Sequence, residues 1–364
     1  MRFSAIAGPR QRPDKGQTAA EAFHDYVDDM VFAEQVGFDA CYVGEHHFTF
    51  ASGNSSPLMM AAAIAGRTST IRVGTSIICA PFHNPLRLAE DIAAVDIISK
   101  GRFELGIGVG SRWEEFNTFG IHPKERFGRT WEVIDIIDLC LNSGKQVDDR
   151  FDWNGKYYQF PDINWVMQPV QERIPILWGG FGPKGARRAG ERGLHLIAQD
   201  VTGEYSRAMR EHGRDPMDHL IGFVHNVGIA DTFEEAFEEE WEPFIWTANQ
   251  YSQMPDLETG APSTQPLFTR EDVLRSAQTK QSMGMGGFNV PVLGPVDQVI
   301  EHFLPIVRGE QGLFTNLGIE VRHPGVSTES ARRTLKSFGE EVIPVLRKEA
   351  EAHEATMRSL VPSV

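Results

Sequence analysis

The feature of this sequence that most constrains its fold is a repeated alternation between short apolar runs and longer amphipathic segments. Continuously apolar strands that alternate with amphipathic helices predict a parallel sheet covered by helices on both faces. About eight strand–helix units favour an α/β fold of the (β/α)8 TIM-barrel type over an open doubly wound sheet. The predicted strands are 3–7, 40–43, 71–78, 103–107, 174–178, 194–197, 221–229 and 314–319, and the predicted helices are 18–36, 56–69, 85–99, 129–141, 182–193 and 327–351.

Two segments are longer than a minimal strand–helix unit requires. Residues 145–173 contain the pair Asn154-Gly155 between strand-like runs, which predicts a hairpin-type insertion. Residues 252–288 are polar and punctuated by Gly and Pro, which is typical of an active-site lid or of an insertion without order. We therefore expect one barrel domain over residues 1–364, with a hairpin and a mobile lid inserted in it.

The unusual residues of the chain all follow predicted strands. In a (β/α)8 barrel the loops after the strands converge on one mouth, where active sites lie. We therefore expect these stretches to meet at one face of the barrel. They are GEHHFTF after the second strand, VGTSIICAPFHNP at the third, GIGVGSRWEEF after the fourth and WGGFGPKG after the fifth.

The adjacent Glu45, His46 and His47 are compatible with a metal site, with an acid/base site or with a polar loop. A zinc motif of the H-x-x-E-H type would need histidine where Tyr42 stands, and His83 has no acidic companion nearby in the sequence. The chain also has no G-x-S-x-G and no Walker loop. These absences favour imidazole as an acid/base group or hydrogen-bond donor, and no metal is predicted.

The stretch from Gly180 to Gly185 matches G-x-G-x-x-G, follows a strand and opens a helix. A dinucleotide site is one interpretation, with Asp200 as the ribose-binding acid. The motif lies after four strand–helix units that a dinucleotide half-domain does not need. Small residues at a helix N-terminus let a backbone approach an anion, so the turn Gly179–Gly182 predicts a phosphate site whichever cofactor carries it.

A second glycine-rich turn, Gly106-Ile107-Gly108-Val109-Gly110, ends the fourth strand. It has no side chain at alternate positions. This pattern is typical either of tight packing in the barrel or of a flat face against which an aromatic ring can lie.

The formal net charge of −15 makes nucleic acid and anionic membrane surfaces unfavourable partners. Cys41, Cys79 and Cys140 are scattered and form no C-x-x-C, which predicts reduced thiols in a cytoplasmic protein. The N-terminus has no apolar signal core, and no apolar run is long enough to span a bilayer.

Several stretches together resemble the bacterial luciferase-like flavin-dependent monooxygenase family. The resemblance covers residues 1–200 and resumes at GPVDQVIEHF and FTNLGIEVRHPG. Each motif is weak alone, and the combination is specific. The motifs are EHHFTF after VGFDACYV, then RTSTIRVGTSI, then NPLRLAEDIAAVDIISKGRFELGIGVG, and then ILWGGFGPKGARRAGERG.

The resemblance implies a barrel that binds reduced flavin mononucleotide (FMN) or, in some branches, a deazaflavin. It implies catalytic roles for His46 and Glu45. It places a non-proline cis peptide at Ser76-Ile77 beneath the flavin ring. The implied cofactor-binding residues are Ser76, Ile77, Gly108, Val109, Gly110, Gly179, Gly180, Phe181 and Gly182. Luciferase carries a cysteine and a phosphate-binding arginine where this chain has Gly108 and Val109, so Arg112 or Lys184 is expected to supply the cation.

The implied activity is monooxygenation of a small apolar organic substrate by O2, with reduced FMN delivered by a separate reductase. The substrate is expected near His47, Phe50, Phe82 and Trp113, although Trp113 equally begins a helix. A homodimer formed through helices in the first third of the chain is also expected. The alternatives are a deazaflavin-dependent hydride-transfer enzyme, a non-catalytic flavin-binding protein, and an aldolase- or isomerase-type barrel that binds a sugar phosphate.

Overall fold

A computed structural model of the protein describes residues 1–50, 53–144, 149–180, 182–200, 202–280 and 291–359. Most strands are buried along their whole length, because helices cover the outside of the sheet and side chains fill its inside. The strands are β1 (Arg2–Ala7), β2 (Ala40–Val43), β3 (Arg72–Thr75), β4 (Ile78–Cys79), β5 (Phe103–Gly108), β6 (Arg150–Asn154), β7 (Gln159–Asn164), β8 (Ile176–Gly179), β9 (His195–Leu196), β10 (Gly222–Ile229), β11 (Val292–Gly294) and β12 (Asn316–Glu320).

The main sheet is parallel and curls until its two edges meet. Its order is β11-β10-β12-β1-β2-β3-β5-β8-β9, and β4 pairs with β5 beside β3. A parallel bridge between Leu196 and Ile221 then joins β9 to the start of β10, and the Leu196 N–H donates to the Leu220 carbonyl at 2.8 Å. The predicted TIM-barrel fold is therefore confirmed, with β11 as an extra strand on β10.

Helices follow the strands and begin at residues suited to the N-cap position. Thr18 caps α1 in a reciprocal capping box with Glu21. The Asn84 side chain accepts from two N–H groups of α3, whose first residue is Pro85. The helices are α1 (Ala19–Gln35), α2 (Pro57–Ala65), α3 (Pro85–Ser99), α4 (Trp113–Phe119), α5 (Arg126–Leu141), α6 (Pro183–Arg192), α7 (Glu204–Glu211), α8 (Phe233–Ser252), α9 (Arg270–Thr279), α10 (Val296–Val307), α11 (Thr328–Ser337), α12 (Ile343–Ala352) and α13 (Glu354–Ser359).

The structure differs from the sequence-based elements in several places, and α7, α8, α9 and α10 lie where no helix was predicted. The strand predicted over 71–78 is split into β3 and β4, and the peptide between Ser76 and Ile77 is cis. The helix predicted over 327–351 is divided by a π-helical turn at Phe338–Val342. Pro344 follows this turn and has no N–H to continue the regular ladder. The helix predicted from 129 begins three residues earlier, at Arg126.

Residues 145–173, predicted as a hairpin-type insertion, and residues 252–288, predicted as a lid, are described except for 145–148 and 281–288. Within 145–173, β6 and β7 pair antiparallel, and the Gly155 N–H donates to the Tyr158 carbonyl at 2.9 Å. Within 252–288, the described part up to 280 is irregular until α9, and 281–288 lie outside the described residues. Gly260 packs so closely on Trp113 that a Cβ there would lie 2.5 Å from the indole. This segment therefore lies against α4.

A charged cluster fills one layer of the barrel interior near the start of the strands. The Glu104 carboxylate accepts from both terminal nitrogens of Arg2, at 2.9 and 3.0 Å, from the Tyr42 hydroxyl at 2.6 Å, and from Arg72. Burial alone would raise the pKa of Glu104, but the two guanidinium groups and the hydroxyl outweigh it and lower this pKa. Glu104 therefore stays ionised inside the barrel.

The three cysteines are buried. Over the described residues, no helix combines the length and the apolar character that crossing a bilayer requires.

Candidate active site

A cavity of about 540 Å³ opens where the strands of the barrel end. This volume is typical of small-molecule and cofactor sites. Residues that follow β1, β2, β3, β5 and β8 line it, together with residues of β10 and β12 and the segment after α8. The lining is Ile6, Gly8, Arg10, Gly44, Glu45, His46, Ser76, Ile77, Cys79, Val109, Gly110, Ser111, Arg126, Phe127, Gly179, Gly180, Ile197, Val224, Asn226, Tyr251, Met254, Leu257 and Glu320.

Glu45 is held by hydrogen bonds from three sides. Its Oε1 lies 2.9 Å from His47 Nε2 and 2.8 Å from His83 Nε2, and its Oε2 accepts from the Cys79 N–H at 2.6 Å. Burial favours a raised pKa, but the two imidazoles and the N–H outweigh it and lower the pKa of Glu45 to about 2. This carboxylate is therefore a fixed anion that orients the loop after β2.

His46 points away from Glu45, toward a different carboxylate. Its Nδ1 lies 3.2 Å from Glu115 Oε1, which also accepts the His47 N–H at 2.8 Å. Its Nε2 lies 3.0 Å from the Tyr251 hydroxyl at the end of α8. Burial lowers the pKa of His46, and the hydrogen bond to Glu115 offsets this only in part. The imidazole is therefore neutral at pH 7 and links a buried carboxylate to a phenol that lines the cavity.

Arg112 lies against the other side of this phenol. Its guanidinium carbon is 4.8 Å from the centre of the Tyr251 ring. Arg112 is 4% exposed, and its Nε and Nη2 have no hydrogen-bond partner among the described residues. A buried cation without a paired carboxylate makes its surroundings favourable for negative charge.

The Ser76-Ile77 peptide forms part of the cavity floor, and Ile77 determines where glycine is needed around it. A Cβ on Gly108 would lie 2.3 Å from Ile77 Cδ1, and a Cβ on Gly179 would lie 2.2 Å from Ile77 Cγ2. Of the two interpretations of the β5 glycines, tight packing therefore accounts for Gly108. Gly110 has φ +73°, which favours glycine for the turn itself.

The predicted phosphate turn leads into the N-terminus of α6. Gly182 is the N-cap residue, with φ +120°, and no heavy atom lies within 4 Å of the position of its missing Cβ. Phe181 lies outside the described residues. Lys184 is exposed on the first turn of α6. Arg126, at the start of α5, also lines the cavity.

The opposite wall of the cavity is polar. Asn226 within β10 and Glu320 at the end of β12 are register partners. Arg10 forms an ion pair with Glu320, while Arg10 Nε has no partner among the described residues. The cavity is thus bounded by glycines on one side and by this ion pair on the other.

The structure brings eight of the sequence-predicted site residues to the cavity surface. They are Glu45, His46, Ser76, Ile77, Val109, Gly110, Gly179 and Gly180. Gly108 lies against Ile77 and does not line the cavity, and Gly182 is the N-cap residue of α6.

The four residues predicted to contact substrate lie elsewhere. His47 is bonded to Glu45 and packs edge-on against Phe119, with ring centres 4.9 Å apart. Phe82 belongs to the same aromatic cluster, and Phe50 is exposed. Trp113 begins α4 and packs on Gly260. None of the four lines the described cavity, so their contact with substrate stays a prediction.

Sequence reasoning missed Tyr251, Arg126 and Arg10. Tyr251 lies near the end of a long helix and has no motif around it. Arg10 follows β1 closely, so a search of all polar residues after predicted strands would have included it, whereas Arg126 lies beyond α4, at the start of α5. In the described part of the chain, no cluster of three or more His, Cys, Asp or Glu side chains has the arrangement of a metal site.

Comparison with known proteins places this site in a family. The family model described as luciferase-like monooxygenase matches residues 1–308. The chain is 26% identical over 329 residues to 4-hydroxyprotoasukamycin monooxygenase of Streptomyces nodosus subsp. asukaensis, covering 85% of this chain and 83% of the relative. It is 30% identical over 250 residues to the oxygenase component of the flavin-dependent trigonelline monooxygenase of Acinetobacter baylyi, covering 65% and 67%. It is 33% identical over 350 residues to the F420-dependent glucose-6-phosphate dehydrogenase of Amycolatopsis mediterranei, covering 91% and 97%.

Solved structures share the fold. The monooxygenase RslO1 from Streptomyces bottropensis superposes with a TM-score of 0.79 at 22% identity, covering 95% of this chain and 99% of the other. The oxygenating constituent of 3,6-diketocamphane monooxygenase from Pseudomonas putida, solved in complex with FMN, superposes with a TM-score of 0.71 at 22% identity, covering 94% and 98%. Taken with the family match over most of its length, this chain belongs to the luciferase-like monooxygenase family of oxidoreductases.

Proposed function

We propose that this protein is a two-component flavin-dependent monooxygenase, which takes reduced FMN from a separate reductase and uses it with O2 to oxygenate a small organic substrate. The observation that carries this proposal is one cavity, at the carboxyl end of the barrel, that joins His46, the cis Ser76-Ile77 peptide and the glycine turn before α6. These residues lie far apart in sequence and are brought together by the fold.

The residues present fit a flavin phosphate at one end of the cavity. The N-terminus of α6 offers unpaired N–H groups, and Gly182 leaves open space beside them. Arg126 lines the same cavity and supplies positive charge, so we assign it the role expected of Arg112 or Lys184. Arg112 is committed instead to the ring of Tyr251.

Bound reduced flavin would supply the electrons that activate O2. The protein's own contribution is to hold the ring against Ser76-Ile77, to exclude water and to handle a proton. His46 is the imidazole at the cavity surface, and Glu45 keeps its loop in place through His47. Met254 and Leu257 belong to the segment after α8 and line the same cavity, which supports both a lid and an apolar part of the substrate site.

The separate reductase is supported by one relative, which is described as an oxygenase component. A deazaflavin in place of FMN is the second candidate, because the relative with 33% identity is F420-dependent. A homodimer through the first third of the chain is supported by exposed apolar side chains on α2 and α3: Met59 is 75% exposed, and Ile97 and Ile98 are about half exposed.

Parallel anaerobic titrations with reduced FMN and reduced F420, followed by ligand fluorescence, test the choice of cofactor. The proposal expects saturable binding of reduced FMN at least about tenfold tighter than that of F420, a difference of about 1.4 kcal/mol. Tighter binding of F420 would assign the chain to hydride transfer.

A further inference from the structure

The side chains of Glu115, His46 and Tyr251 form a continuous chain from the buried N-terminal turn of α4 to the cavity surface. Glu115 Oε1 lies 3.2 Å from His46 Nδ1, and His46 Nε2 lies 3.0 Å from the Tyr251 hydroxyl. The Glu115 side chain is fully buried, whereas Tyr251 lines the cavity. The three groups come from α4, the loop after β2 and the end of α8.

We propose that Tyr251 is the residue that exchanges a proton with the molecule bound in the cavity, and that His46 and Glu115 act through it as positioning residues. This inference rests on the proposed function for the identity of the bound molecule, but the relay itself is a property of this chain. The ligand it suits carries an acidic O–H or N–H group that must lose its proton during the reaction.

The direction of transfer follows from the hydrogen-bond partners. Glu115 Oε1 accepts the His47 N–H at 2.8 Å and therefore acts as an acceptor toward the imidazole as well, which places the proton on His46 Nδ1. Nε2 then has a free lone pair and accepts from the Tyr251 hydroxyl. In the resting site the relay therefore acts as a proton acceptor.

The proton transfer needs no reactant other than the bound ligand. The ligand's O–H or N–H bond breaks as its proton forms a bond to the Tyr251 oxygen. The original phenolic proton moves to His46 Nε2, which leaves an imidazolium beside the Glu115 carboxylate. The reverse sequence returns the proton to the ligand or to water and restores the resting site.

The surroundings of the Tyr251 phenol favour proton exchange over a purely structural hydrogen bond. The Arg112 guanidinium, 4.8 Å from the ring centre, stabilises negative charge on the Tyr251 oxygen during transfer. Arg112 has no ion pair among the described residues that would neutralise this effect. The charged groups that act on His46 are Glu115 and Arg112 from α4 and Arg10 from the loop after β1, while Tyr251 faces it from α8.

The first test uses the protein without any cofactor. Nitrogen-15 NMR of the imidazole of His46, assigned by its loss in His46→Gln, reports which ring nitrogen carries the proton. We expect Nδ1 to be protonated and Nε2 to be free at pH 7. In Tyr251→Phe, which removes the hydroxyl and keeps the ring on Arg112, the imidazole pKa should rise because Nε2 loses its donor. A proton on Nε2 in the unmodified protein would overturn the proposal.

The second test places fluorotyrosine at position 251 and follows the oxidation of bound reduced FMN by O2 across pH. A more acidic phenol at a relay position shifts the midpoint of this pH profile, whereas a structural hydroxyl does not. Tyr251→Phe should slow this oxidation by about 100-fold, which is typical of a lost acid/base group. Tyr157→Phe, on the hairpin, is the matched control. A pH profile that does not shift in the fluorotyrosine protein would overturn the relay. Failure of FMN to bind would contradict the proposed function instead, and the NMR experiment would then be the test of the relay.

Discussion

The Cγ2 methyl of Ile77 occupies the space in which a side chain at Gly179 would begin, since a Cβ on Gly179 would lie 2.2 Å from it. Ile77 and Gly179 both line the cavity, so the shape of its floor depends on this contact. The glycine is needed here for close packing, and its backbone is not in the left-handed region.

Gly179→Ala should therefore destabilise the protein by about 1–3 kcal/mol, because the added methyl overpacks a filled site. Ile77→Leu removes the Cγ2 branch, so the double variant with Gly179→Ala should recover most of the lost stability. Ile77→Val keeps a methyl at that position, so its double variant should not. Chemical denaturation of the unmodified protein, the three single variants and the two double variants measures this pattern, and equal rescue by leucine and valine would show that the contact is not responsible.

Glu104 neutralises Arg2 and Arg72 inside the barrel. Glu104→Gln should lower the free energy of unfolding by about 3 kcal/mol, because it leaves two guanidinium groups without their counter-charge. Urea denaturation measures the change. Glu90→Gln on the surface of α3 is the control and should change stability by less than about 0.5 kcal/mol. Equal effects of the two substitutions would contradict a structural role for the buried cluster.

Glu45 should make the free energy of unfolding depend on pH in the acidic range. Its pKa falls from 4.5 to about 2 on folding, so its contribution is complete above about pH 4.5 and is lost as the pH falls through about 2. The shift corresponds to roughly 3 kcal/mol. The difference in unfolding free energy between the unmodified protein and Glu45→Gln should be constant from about pH 7 to 5 and shrink below that. A difference that does not change with pH would mean that the carboxylate is not held as an anion.

Arg126 should distinguish flavins by their phosphate. Arg126→Ala is expected to weaken FMN binding by about tenfold or more, the effect of losing a charge-assisted hydrogen bond. Binding of riboflavin, which lacks the phosphate, should not change. Lys184→Ala tests whether the lysine on α6 binds the phosphate instead. Arg187→Ala, on the same helix, is the control and should leave FMN binding unchanged. Loss of FMN affinity in the Lys184 variant alone would transfer the role to Lys184.

The barrel was predictable because each buried strand reads as a continuous apolar run and each helix as a periodic one. The eight predicted strands correspond to the eight positions of the ring, and the Asn154-Gly155 pair indicated the hairpin. Four helices, α7, α8, α9 and α10, were not predicted. The break at Ser76-Ile77 was predictable only through the family resemblance, and α9 lies in a polar stretch that suggested a loop.

The candidate site was predictable where its residues are adjacent in sequence and was missed where it is assembled in space. Glu45, His46 and His47 stood out together, yet the structure separates them: His47 bonds to Glu45, and His46 bonds to Glu115 and Tyr251. Tyr251 lies 205 residues from His46 along the chain. A pairing of this kind depends on how α8 packs over the barrel mouth, which no local pattern of residues encodes.

The most direct test of the proposed monooxygenase is a stopped-flow experiment in which the protein, loaded anaerobically with reduced FMN, is mixed with oxygenated buffer. The proposal expects a transient flavin absorbance that matches neither the reduced nor the oxidised form, and a change in its lifetime in His46→Ala. Direct conversion of reduced to oxidised FMN at the rate seen in free solution, with no transient, would contradict it.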